Sequence, residues 1–137
     1  SGGYIGKELI KQFLYGELDP DVHHRFEKEY ELNKDAILEK VYHQALPNRF
    51  MAGFTRFVHE HISNPGLNRL VISAFEEFIQ RHISKYPDYQ NTPLHCTGSV
   101  AFVFKDQLQQ ACINKQVSLG RVVKNPLNGL VQYHLHQ

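Results

Sequence analysis

Cysteine is scarce, and its scarcity excludes more than it supplies. Cys96 and Cys112 are the whole complement of 137 residues, with fifteen residues between them and no CxxC pair. Two thiols do not staple a disulfide scaffold; they suit a reducing, cytoplasmic setting. Long apolar runs are also missing. No stretch approaches the roughly 20 residues that a membrane-spanning helix needs, so no membrane partner is expected. No signal peptide is visible, because Lys7, Glu8 and Lys11 interrupt the apolar residues near the start. An excess of one charge is lacking too, with 15 Lys and Arg against 14 Asp and Glu. Nucleic-acid binding calls for a basic excess or stripe, so that partner class is set aside. There is no HExxH zinc motif, no internal repeat and no low-complexity segment.

What is present can bury a core, since 42% of the residues are apolar or aromatic. The length is that of one domain. Ile5, Leu9, Ile10, Phe13 and Leu14 fall on one helical face, and the spacing predicts a helix over 4–14 that stops at Gly16. Asp19-Pro20 predicts a second start, with Asp19 as N-cap and Pro20 at the first helical position, and a helix to Tyr30. Glu27, Glu29 and Glu31 read as its solvated face. Asn33 is expected to cap a helix through Ile37, Leu38 and Val41. Phe50, Phe54, Phe57, Val58 and Ile62 predict a helix over 48–62. Ser63-Asn64-Pro65 then punctuates, and Leu67 to Ile79 mark a long helix reaching Lys85.

The character changes at Tyr86. A loop rich in Pro and Asn leads to a short strand, Leu94-His95-Cys96-Thr97, which runs into Gly98-Ser99. A helix over 100–114 follows, with Val100, Phe104, Leu108, Ala111 and Cys112 inward. A strand over 119–124 and a last helix from Asn125-Pro126 complete the order. The expected fold class is therefore helix-rich α/β: a helical body over 1–86, then a β-α-β-α unit over 87–137. Two short strands are too few for a stable buried sheet, so further strands of the same sheet are expected outside this sequence.

Only one segment carries chemistry. A strand, a tight turn and a helix start meet at Thr97-Gly98-Ser99. Helix N-termini favour phosphate, and glycine lets a backbone approach a ligand closely. Ligands of open α/β sheets gather at the carboxyl ends of strands. On pattern alone an ordinary strand-to-helix turn accounts for the same residues, because one Gly-Ser is far weaker than a full glycine fingerprint. The nine histidines give no metal site. His59 and His61 are two apart on a helix and point away from each other, as do His134 and His136. Cys96 reads as a small buried hydrophobe and Glu76-Glu77 as a solvated helix face. Arg49 sits at a helix start, a poor place for a cation, which points to an ion pair or a ligand, although a solvent-exposed arginine is the preferred reading.

Four segments fall in a familiar order: Ser1-Gly2-Gly3-Tyr4-Ile5-Gly6-Lys7, Pro47-Asn48-Arg49-Phe50, Thr97-Gly98-Ser99-Val100-Ala101 and Asn125-Pro126-Leu127-Asn128-Gly129-Leu130-Val131. They resemble the C-terminal part of the BadF/BadG/BcrA/BcrD-type ATPases, and more narrowly their N-acetylglucosamine-kinase-like members. That family belongs to the actin, heat-shock chaperone and hexokinase superfamily, whose members fold as two ribonuclease-H-like lobes around a cleft for Mg-ATP and substrate. The resemblance implies that Thr97, Gly98 and Ser99 form the adenosine-side turn. It also implies that Ser1, Gly2 and Gly3 end the family's Gly-Asp-Glu-Gly-Ser-Gly loop on the substrate side. Its implied partners are ATP with Mg, a sugar and a missing N-terminal lobe; a homodimer is left open. Position 99 is serine where many superfamily members have a second glycine. The loop's Asp and Glu would precede Ser1, as would the phosphate loop and the catalytic aspartate. No catalytic residue is thus assigned here, and the 137 residues alone are expected to be inactive. Two other functions fit the residues less well. One is an ATPase that activates a radical dehydratase or reductase through a cysteine-held iron–sulfur cluster; the other is a non-enzymatic helical interaction module.

Overall fold

The computed structural model describes residues 2–30, 35, 39 and 53–124. Backbone contacts gather into two compact units, Ser1–Leu70 and Val71–Gln137. The division thus lies at Leu70, whereas the sequence changes character at Tyr86.

The first unit is helical. Helix α1 spans Gly2–Leu14, two residues earlier than the apolar spacing predicts. It ends as Gly16 implies. Gly16 adopts φ +68°, its N–H donates to the Phe13 carbonyl at 3.1 Å, and the Glu17 N–H donates to the Gln12 carbonyl at 2.8 Å. This pair of bonds is a Schellman closure, which satisfies carbonyls the helix leaves open. Helix α2 spans Pro20–Tyr30. Its first bond runs from the His23 N–H to the Asp19 carbonyl at 2.9 Å, as the Asp-Pro pair predicts. Of the expected solvated face, Glu29 is exposed, but Glu27 is half-buried and pairs with His23 at 3.2 Å.

Helix α3 covers Thr55–Glu60, a shorter span than 48–62. It stops at His61, and residues 48–52 lie outside the described ones. The helix expected from Asn33 also lies outside them, except for Asp35 and Glu39, both helical and exposed. Helix α4 spans Pro65–Phe78 and crosses from the first unit into the second. Asn64 starts it: its Oδ1 accepts the Leu67 N–H at 3.1 Å, while its Nδ2 donates to Asp19 Oδ2 at 2.9 Å. One side chain thereby caps α4 and ties it to the residue that opens α2.

Aromatic packing centres this unit on Phe26, which is 0% exposed. Its ring lies 4.9 Å from Phe13, 5.0 Å from Tyr30, 5.5 Å from Phe54 and 5.3 Å from Phe57, centroid to centroid. All four pairs are tilted or edge-on, the arrangements that aromatic quadrupoles favour. The rings come from α1 (Phe13), α2 (Tyr30), α3 (Phe57) and the residue that precedes α3 (Phe54), so one side chain joins three helices.

In the second unit, α4 continues into a single π turn at Ile79–Ile83, which carries the helix close to the predicted end. After the loop, β1 (Leu94–Thr97) pairs in parallel with β2 (Leu119–Val123). Between them the expected single helix is two. Helix α5 spans Ser99–Val103 and α6 spans Lys105–Asn114. The break is at Phe104, with φ −102° and ψ 33°. That residue is 1% exposed, so the break seats its ring in the core with Leu108, Ala111 and Cys112. Val100, expected inward, is half-buried. Helix α6 ends in a second Schellman closure, with the Val117 N–H on the Cys112 carbonyl at 2.8 Å. Gln116 holds the left-handed position there at φ 59°, where glycine is usual. The final helix expected from Asn125 lies outside the described residues.

The aromatic hub gives a direct test. Phe26→Ala should destabilise the protein by about 3–5 kcal/mol in denaturant unfolding, the range for deleting a buried ring. A loss below about 1 kcal/mol would show that the hub does not hold the unit.

Candidate functional site

The turn after β1 is built by backbone. Gly98 has φ 121° and ψ 158°, a region that residues with a Cβ avoid. Its N–H donates to the Val123 carbonyl at the end of β2 at 2.8 Å, so the turn is fastened to the neighbouring strand. The Gly98 carbonyl accepts the Phe102 N–H at 3.2 Å and begins α5. No side chain caps α5. A Cβ placed on Gly98 would meet nothing within 4 Å. Glycine is therefore required by conformation rather than by crowding, and the space in front of it is open. Thr97 and Ser99 are exposed and Gly98 is half-buried, so the three predicted residues share one accessible bend.

Two parts of the sequence argument change. The helix behind the turn is five residues long, too short to build the macrodipole that the phosphate argument invokes. The Gly98 N–H is also already committed to Val123. What the bend offers a ligand is an open glycine backbone flanked by two exposed hydroxyls. At the other predicted site, Gly2 and Gly3 form the first turn of α1 instead of a loop, and Ser1 lies outside the described residues. Arg49 lies outside them as well.

Strand β1 is not fully buried. Leu94 and Cys96 are half-buried, while His95 and Thr97 are exposed. Cys96 therefore faces inward, though less completely than a core residue. Burial pushes its thiol up to about 11, with the nearby Cys112 thiol adding to the shift. Cys112 is 0% exposed, and burial raises its thiol as well. Neither behaves as a thiolate at neutral pH. Glu76 and Glu77 are half-buried rather than solvated, and each has a partner. The Asn114 amide donates to Glu76 at 3.4 Å, and Arg81 pairs with Glu77 at 2.6 Å.

Glu29, Glu60 and His61 bring ligand atoms within 4.8 Å of one another. Sequence reasoning missed this group because Glu29 lies on a different helix. Arg56 sits 3.8 Å from Glu29 and 3.6 Å from Glu60, so a guanidinium already supplies the positive charge there. Beside them Tyr30 has a buried hydroxyl with no hydrogen-bond partner. Burial raises its pKa, and the Glu29 charge adds to the effect.

No family model and no curated protein matches the sequence. Among solved structures, the chain is similar to a candidate N-acetylglucosamine kinase from Porphyromonas gingivalis, with 35% identity and a TM-score of 0.87. The match covers 100% of this chain and 48% of that one, so the chain spans about half the length of the protein it resembles. The fold is thus a helix-rich α/β fold of kinase type, corresponding to part of one lobe of an actin-like kinase. No helix among the described residues is long and apolar enough to cross a membrane.

Two measurements check the site's local physics. Gly98→Ala should cost about 1–3 kcal/mol of stability from backbone strain alone; a neutral result would mean that the turn is easily rebuilt. For Cys96 the raised pKa means that the neutral thiol is favoured by folding. Its contribution is fully present below the ordinary thiol range and is lost as pH climbs towards about 11. Alkylation of Cys96 in the folded protein should keep accelerating with pH beyond about 10, where an ordinary thiol has levelled off. A plateau near pH 9 would contradict this.

Proposed function

We propose that the chain is the nucleotide-side lobe of an ATP-dependent sugar kinase, of the N-acetylglucosamine-kinase-like branch of the BadF/BadG/BcrA/BcrD-type ATPases. The carrying observation is likeness along the whole chain to a candidate N-acetylglucosamine kinase, at 35% identity. The open bend at Gly98 supports the assignment. An exposed turn at the carboxyl end of a parallel strand is where α/β folds take their ligands.

In this reading Thr97, Gly98 and Ser99 hold the adenosine side of Mg-ATP. The open backbone at Gly98 permits close approach, and the hydroxyls of Thr97 and Ser99 supply hydrogen bonds. Bound Mg-ATP supplies the phosphoryl group and a cation that neutralises charge on it. No residue of this chain is assigned to the metal or to the base that takes the sugar hydroxyl's proton. Gly2 and Gly3, at the start of α1, would face the substrate side. Catalysis therefore needs the other lobe, and residues 1–137 alone are expected to bind weakly and transfer nothing. The iron–sulfur activator reading fits less well. Cluster ligation uses accessible thiolates, whereas burial keeps both thiols protonated.

The experiment uses the full-length protein, ATP and a set of amino sugars and neutral hexoses. Phosphorylation of an amino sugar is expected, and Gly98→Val should raise KM for ATP at least about tenfold. Unchanged KM would remove the bend from the nucleotide site. A folded protein that phosphorylates no sugar, and shows visible absorption after anaerobic purification, would favour the activator reading instead.

A further inference from the structure

The two strands that carry the bend do not pair evenly. Leu94 pairs with Leu119, but Cys96 pairs with Val122 and Thr97 with Val123. Strand β1 advances two residues while β2 advances three, so β2 carries a bulge at Gly120-Arg121. A bulge leaves a backbone group of its strand without a ladder partner. Here that group is satisfied by a side chain: the Arg121 N–H donates to His95 Nδ1 at 2.8 Å. His95 is the residue that the register skips, between Leu94 and Cys96. Its imidazole thus does the work of the missing carbonyl. The ring occupies the volume in front of Gly120, where a Cβ would stand 2.5 Å from both Cε1 and Nδ1 and 3.3 Å from the Leu94 carbonyl oxygen. The imidazole of His95 can therefore take this place only because residue 120 is glycine.

Everything beyond the bulge is set by it. The pairs Cys96–Val122 and Thr97–Val123 lie past it, and so does the 2.8 Å bond from Gly98 to Val123 that fastens the bend. A one-residue slip of β2 would turn its side chains to the opposite face and move Val123 away from Gly98.

We propose that His95 is the positioning residue of the 97–99 bend, acting as a neutral imidazole with the proton on Nε2 and the Nδ1 lone pair on the Arg121 N–H. Its relevance to nucleotide rests on the kinase reading above; its effect on the bend does not. Protonation places a hydrogen on Nδ1, converts the acceptor into a donor and breaks the clip.

The test uses the full-length protein labelled with nitrogen-15. Long-range imidazole spectra should show His95 as the Nε2–H tautomer, its signals identified by their loss in His95→Asn. Amide exchange at Arg121 and Gly98 should speed up at least tenfold in His95→Ala. His95→Asn should rescue most of the protection, since its Oδ1 can accept at the place of Nδ1. Gly120→Ala, which displaces the ring without removing it, should reproduce His95→Ala. A wild-type Nδ1–H tautomer would overturn the proposal without any variant, and so would unchanged Gly98 exchange in folded His95→Ala. KM for ATP separates this proposal from the kinase reading. If the bend loosens as described while both His95→Ala and Gly98→Val leave KM unchanged, the clip stands and the nucleotide assignment falls.

Discussion

Parallel pairing of β1 with β2 is the constraint on which the second unit is built. Two parallel strands cannot be joined by a tight hairpin; the chain must leave one end, cross over and re-enter at the other. Helices α5 and α6 are that crossing. The bend at Gly98 is its first corner, and the Schellman closure at Gln116 is the last before β2. Because the sheet has two strands among the described residues, each hydrogen bond between them carries a large share of the order. The bond from Gly98 to Val123 and the clip from Arg121 to His95 are the two that bear on the bend.

The first unit is organised differently. It depends on ring contacts around Phe26 and on the Asn64 side chain, which joins two helix starts. Surface ion pairs add little to this. Arg25 with Asp21 lies on an exposed helix face, where such pairs contribute about 0.3–0.5 kcal/mol. Both units bury an apolar core; the first adds the ring cluster around Phe26, and the second adds a narrow parallel sheet to a core that includes Val71, Ile79, Phe104, Leu108 and Cys112.

How much of this was legible in the sequence depended on how local the determinant is. Ile5, Leu9 and Phe13 marked α1 because helical periodicity needs no knowledge of the rest of the chain. Asp19-Pro20 marked α2 for the same reason, and Gly16 announced a left-handed residue. Leu94 to Thr97 could be read as a strand, and the bend after it as an accessible corner. The break at Phe104 was not legible, since the apolar spacing of 100–112 continues through it and only packing shows that the ring needs it. Gln116 in a left-handed position contradicts residue preference. The bulge is invisible for a deeper reason: it is a relation between two strands, and nothing in either strand alone says that His95 faces Arg121. The same applies to Glu29 beside Glu60 and His61. Of the candidate site, the position of the turn was readable, while the use of the Gly98 N–H by Val123 was not, because that bond depends on register.

Asn64 has a chemical consequence beyond holding two helix starts together. Asparagine side chains age in proteins when the next residue's backbone nitrogen attacks the amide carbonyl and closes a succinimide ring, which opens to aspartate or isoaspartate. Residue 65 is proline, whose nitrogen carries no hydrogen and is a poor nucleophile for that closure. The placement that begins α4 thus also shields its capping amide from deamidation. Conversion to a carboxylate would set a negative charge against Asp19 Oδ2, now 2.9 Å from the amide nitrogen, and turn a bridge into a repulsion. The Asn-Pro order makes this joint durable over the lifetime of the protein as well as stable at any one moment.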